Sequence, residues 1–76
     1  MENQVLEILK DIQPLYEFED GIDFVEEGYL DSFEVVTLIS QLEESFSVTI
    51  SALEFLPENF ASVQAICALV NKSQKR

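Results

Sequence analysis

Val5, Ile8, Leu9 and Ile12 fall at the i, i+3, i+4, i+7 spacing of one helical face, which predicts a first helix over residues 2–13. Pro14 ends it, because the proline ring disfavours helical geometry in the residue before it. From residue 15 to 31 the periodicity is lost. Gly21 and Gly28 punctuate an acidic stretch through which Tyr16, Phe18, Ile22, Phe24, Val25 and Leu30 are scattered. This reads as a long loop pinned to the core by some of those side chains. Loops of that length are uncommon in compact domains and often functional.

The strongest helical signal follows over residues 32–45. Phe33, Val35, Val36, Leu38, Ile39, Leu42 and Phe46 give a wide apolar face, and Glu34, Glu43 and Glu44 are left for solvent. Asp31 and Glu34 stand three apart, the spacing of a capping box in which Asp31 caps the first turn. Such a helix would be ~21 Å long, enough for one wall of a small bundle. Val48-Thr49-Ile50 has strand character but no partner strand, so it reads as an extended connector. Residues 53–56 suit one short helical turn before Pro57. Ser62 reads as the N-cap of a last helix with Val63, Ile66, Cys67 and Val70 on one face, and residues 71–76 as a basic tail that frays. The expected fold is all-α: one domain over residues 1–76, a three-to-four-helix bundle with a long loop between its first two major helices.

Composition narrows what such a bundle can do. The chain has 76 residues, 47% of them apolar, a thin core for a deep water-excluded site. Its formal charge is -11, and no Lys or Arg falls between Lys10 and Lys72. A surface of that sign repels phosphate backbones and anionic headgroups, which argues against nucleic acid and membrane partners. It attracts basic protein surfaces and speeds their encounter. There is no histidine, which removes Ser-His-Asp and Cys-His catalysis, and the single Cys67 excludes an intrachain disulfide or a multi-cysteine zinc site. Cys67 reads as a core residue rather than a working thiol. The window from Asp20 to Asp31 has the length of a calcium loop. It offers Ile22 and Phe24 where oxygen ligands belong and Val25 where the turn glycine belongs, so that reading fails. No leader or membrane-spanning run is legible, and the expected location is cytoplasmic.

The informative segment is Gly28-Tyr29-Leu30-Asp31-Ser32-Phe33-Glu34-Val35-Val36. It sets a serine where a long loop becomes an amphipathic helix. First-turn N–H groups are free and the helix dipole is positive there, so a phosphate on Ser32 would be favoured. A plainer reading competes: Asp-Ser is ordinary capping chemistry at a helix start. Leu30-Asp31-Ser32-Phe33, the helix running into Leu42-Glu43-Glu44-Ser45-Phe46, and the Pro57-Glu58-Asn59-Phe60-Ala61-Ser62-Val63 approach together resemble the acyl carrier protein family over nearly the whole chain.

The resemblance implies that Ser32 carries a 4'-phosphopantetheine arm drawn from coenzyme A. It further implies that Asp31, Phe33, Glu34, Val36, Glu43 and Glu44 belong to the partner-recognition surface. The implied partners are a phosphopantetheinyl transferase and an acyl- or aminoacyl-loading ligase or synthase with a basic docking surface. The carrier itself would be a monomer and no enzyme, its thiol coming from the arm and its catalysis from partners. Thr37 and Ser40 depart from the acid and methionine usual in fatty-acid carriers. The Gly28–Phe33 segment is closer in style to stand-alone D-alanyl and related aminoacyl carriers. A second reading stays open: an acidic docking or regulatory module with the carrier fold and no arm, in which Ser32 is merely a cap.

The crowding of like charges carries its own expectation. Added NaCl or Mg2+ screens the repulsion and should raise the melting temperature by several degrees, read by thermal denaturation. A flat response to salt contradicts it.

Overall fold

The computed structural model describes residues 1–74. Helix α1 spans Glu2–Ile12, α2 Ser32–Phe46 and α3 Val63–Gln74, with two 3-10 turns, Ala52–Glu54 and Pro57–Phe60, between α2 and α3. No strand occurs among the described residues, and Val48–Ile50 is an extended connector, as the sequence predicts. Helix α1 packs against both α2 and α3, so it is the spine of the bundle.

Each helix starts and stops for a local reason. The Gln13 N–H closes α1 onto the Leu9 carbonyl at 2.8 Å, and Pro14 follows with no N–H to extend the ladder. Helix α2 begins at a complete capping box on Asp31 and Glu34 and runs through Phe46, one residue beyond the predicted end. Ser62 caps α3, its Oγ accepting from the Ala65 N–H at 3.0 Å.

At the other end, α3 does not fray at Asn71. It continues through Gln74, because Ser73 turns inward, is buried, and donates its hydroxyl to the Leu69 carbonyl at 2.9 Å. Lys75 and Arg76, the end of the expected basic tail, lie outside the described residues. The Pro57–Phe60 turn is a second departure: the sequence suggested one short turn in this region, and there are two.

The buried core draws on all three helices. Val5, Ile8 and Leu9 come from α1, Leu38, Ile39 and Leu42 from α2, and Val63, Ile66, Leu69 and Val70 from α3. The long loop contributes Phe18, Phe24 and Leu30, all buried, and Phe60 closes the far side. Phe18 stands edge-on to Phe24 with centroids 4.9 Å apart, and Tyr16 stacks on Tyr29 at 4.4 Å. The anchoring role read from the sequence is therefore what Phe18, Phe24 and Leu30 perform, while Tyr16 works from the surface.

Backbone bonds complete the tethering of the loop. The Phe24 N–H donates to the Ala61 carbonyl and the Leu30 N–H to the Phe24 carbonyl, each at 2.9 Å. Asp23 Oδ1 accepts from the Val25 and Glu26 N–H groups, starting a turn that Gly28 leaves at φ +80, a conformation L side chains rarely adopt.

One residue sits in strained backbone. Ser47, at the end of α2, is left-handed at φ 54 and ψ 49, so that its N–H and that of Val48 both reach the Glu43 carbonyl. A non-glycine residue there costs about 1–2 kcal/mol, while glycine's freedom in the unfolded chain returns about 0.4–1 kcal/mol of any gain. Ser47→Gly should therefore stabilise the protein by up to about 1 kcal/mol. In urea titration the midpoint should rise at an unchanged slope, and a lower midpoint contradicts the strain.

Candidate functional site

The start of α2 is fixed by interlocking contacts. Asp31 Oδ1 accepts from the Glu34 N–H at 2.8 Å, and Glu34 Oε1 accepts from the Asp31 N–H at 3.0 Å. The second oxygen of Glu34 accepts from Gln13 Nε2, which ties the end of α1 to the start of α2. Glu34 is thereby half-buried and internally engaged rather than displayed.

Because Asp31 takes the cap, Ser32 is released from that duty. It is the first helical residue, it is exposed, and no described residue hydrogen-bonds to its hydroxyl. The first i to i−4 bond of the helix runs from Val35 to the Asp31 carbonyl, so the Ser32 and Phe33 N–H groups have no protein acceptor among the described residues. An anion joined to the Ser32 oxygen would meet two free N–H groups and the positive end of the helix dipole.

Beside Ser32 opens an apolar cleft of about 280 Å3 between α2 and the segment of the two 3-10 turns. Val35, Val36 and Ile39 form one wall and Phe55, Leu56 and Phe60 the other. On the outer side of the serine, Phe33 and Val36 stand 83% and 64% exposed. Large apolar side chains at that exposure, next to an acidic surface, suit contact with another protein.

The remaining acids predicted for the same surface divide. Glu43 Oε2 accepts from the Ile50 N–H at 2.9 Å and so fixes the Val48–Ile50 connector. Glu44 is exposed and has no partner among the described residues. The structure thus gathers Asp31, Ser32, Phe33 and Val36 at one end of α2 and turns Glu34 and Glu43 into internal ties. Sequence reasoning missed the contributions of Phe55 and Leu56, although their apolar pair before Pro57 was visible. It also missed Gln13, whose contact depends on how α1 and α2 approach.

Cys67 packs against the core from the inner side of α3 and is half-buried. Burial, and after it the negative charge of Glu2, push its thiol above the ordinary value, the reverse of what a reactive thiolate needs. Among the described residues no group of three or more Cys, Asp or Glu is placed to hold a metal ion, and no helix is long and apolar enough to cross a membrane.

Residues 3–70 match the family of the phosphopantetheine attachment site. The chain belongs to that family. Its members are carrier proteins that hold 4'-phosphopantetheine covalently, as the Leu30-Asp31-Ser32-Phe33 resemblance implied. Among its relatives is the D-alanyl carrier protein of Lactococcus lactis subsp. cremoris strain MG1363, 31% identical over 74 residues, covering 95% of this chain and 94% of the relative. The D-alanyl carrier protein of Lactococcus lactis subsp. lactis strain IL1403 is 29% identical over 76 residues, covering 97% and 96%. The exposed, unengaged hydroxyl of Ser32 and the open N–H groups beside it fit the prosthetic group of this family.

Within the carrier fold, the tie made by Glu43 can be tested directly. Glu43→Ala leaves the half-buried Ile50 N–H without its acceptor, at a cost of about 1–3 kcal/mol. Amide exchange at Ile50 should rise by roughly 5- to 150-fold, while unchanged exchange there shows that water replaces the carboxylate at no cost.

Proposed function

We propose that Ser32 receives the 4'-phosphopantetheine arm and that the chain carries an aminoacyl or acyl group on it, as a thioester, between partner enzymes. What supports this most is the division of labour at the start of α2. Asp31 holds the cap, and the adjacent Ser32 hydroxyl is exposed and unengaged. A serine that merely capped the helix would accept from a first-turn N–H, and that bond is made by Asp31 instead.

In the attachment step the Ser32 oxygen attacks the pantetheine-side phosphorus of coenzyme A. A phosphodiester forms, adenosine 3',5'-bisphosphate leaves, and the hydroxyl proton passes to a base supplied by the transferase. The new negative charge then lies at the N-terminus of α2, where the helix dipole favours it. Once in place, the arm supplies the thiol that bears the cargo. This chain's own residues fix the attachment point through the capping box and present Asp31, Phe33, Val36 and Glu44 to the partner. The polypeptide itself catalyses nothing.

The partners are a phosphopantetheinyl transferase and a loading ligase or synthase, each with a basic surface ringing an apolar contact. The formal charge of -11 speeds their encounter, and salt slows it. The D-alanyl carrier relatives support an aminoacyl cargo of that kind, in keeping with Thr37 and Ser40 where fatty-acid carriers have an acid and a methionine. The same reading has the chain acting as a cytoplasmic monomer.

Intact mass spectrometry after incubation with coenzyme A and a broad-specificity phosphopantetheinyl transferase tests the proposal. The wild type should gain the mass of one arm. Ser32→Ala should gain none while keeping its helical circular dichroism. Two folded proteins that both stay unmodified would leave a docking module without a prosthetic group.

A further inference from the structure

The wall of the cleft opposite α2 is an unusual piece of chain. From Ala52 to Glu58 no side chain is buried, and Leu53, Phe55 and Leu56 stand 83%, 47% and 45% exposed. Apolar burial therefore holds this strap less firmly than the helices, and polar contacts add to it. Its internal bonds are short-range: Glu54 N–H to the Ser51 carbonyl, Phe55 to Ala52, and Asn59 to Leu56.

Glu54 links the strap to its surroundings. Its backbone carbonyl accepts from Asn59 Nδ2 at 2.7 Å, and its Oε1 accepts from the same group at 3.3 Å. Its Oε2 pairs with Lys72 Nζ of α3 at 2.7 Å, with 20% of the Glu54 side chain exposed against 64% for Lys72. Lys72 is the sole Lys or Arg between Lys10 and Lys75 in a chain of charge -11. With so many carboxylates to choose from, it meets the one at the base of the strap.

We infer that the Glu54–Lys72 ion pair is a latch that holds the strap against α3 and sets how far the cleft beside Ser32 stands open. Glu54 and Lys72 are thus positioning residues: they touch neither the arm nor its cargo but place Phe55 and Leu56, which form the cleft wall. The inference deepens the carrier reading, since this cleft lies beside the proposed attachment point.

The latch is testable on the unmodified chain, so its failure is distinguishable from a failure of arm attachment. Amide exchange is measured for wild type, Lys72→Gln, Glu54→Gln and Lys72→Arg, with chemical-shift exchange at the Val36 and Leu56 methyls on the two walls. An ion pair this exposed should be worth a roughly two- to fivefold change. Exchange at Phe55 and Asn59 should rise by that factor in both glutamine variants and return to the wild-type rate in Lys72→Arg. The core helical amides of Leu42 and Ile66, whose opening also breaks the latch, should rise by no more than that factor, and exchange broadening should grow at Val36 and Leu56.

Salt adds a check of sign. In the wild type, NaCl should slow helical exchange by relieving global repulsion and speed strap exchange by screening the latch. Unaltered strap exchange in Lys72→Gln overturns the inference, whatever Glu54→Gln does. So does faster exchange with no added broadening at Val36 and Leu56, which would make the pair a general stabiliser.

Discussion

The reciprocal pair of hydrogen bonds between Asp31 and Glu34 settles where α2 begins, and most of what the molecule presents to others depends on that starting point. A helix that began one residue later would make Ser32 the cap and draw its hydroxyl toward the backbone. The bond from Gln13 to Glu34 extends the control to α1, so the serine's position is referenced to the spine of the bundle as well as to its own helix. Caps of this kind contribute only ~1 kcal/mol of stability. Their larger effect here is to leave the Ser32 hydroxyl unengaged.

A strongly acidic chain must spend some of its carboxylates on its own architecture. Glu34 and Glu43 both accept from groups inside the protein, one at each end of α2, and each fixes a neighbouring segment. Asp23 does the same for the turn before Gly28. What is left outward around Ser32 is sparser in charge than the sequence suggests and richer in apolar surface. On the proposed carrier reading, recognition there would combine long-range attraction from the whole acidic molecule with a short-range apolar contact, and the two respond differently to ionic strength.

Much of this was legible in the amino-acid order. The helical faces of α1 and α2, the Asp31–Glu34 cap and the Ser62 cap are local patterns of spacing, and local physics decides them. The family was legible through the whole-chain resemblance. What escaped the sequence depends on contacts between distant segments. Nothing within residues 71–74 reports that Ser73 can bury its hydroxyl by bonding back to Leu69, because that outcome needs the bundle wall against which it is buried. Likewise Glu34 and Glu43 look like solvent-facing acids until the neighbours that occupy them, Gln13 and Ile50, are brought alongside. The strap escaped for the same reason: its hold comes from Asn59 and from Lys72 on another helix.

The aromatic stack in the long loop has an optical consequence. The chain has two tyrosines and no tryptophan, and Tyr16 and Tyr29 lie face to face, centroids 4.4 Å apart and planes 15° from parallel. Rings that close couple their transitions and quench one another, so the tyrosine bands of the near-ultraviolet dichroism and the tyrosine emission both report on this pair. Tyr29 is three residues from Ser32 along the chain. The loop leading to the serine therefore contains its own chromophore, and a partner that displaces it changes the intensity of the protein's own emission without any label being added.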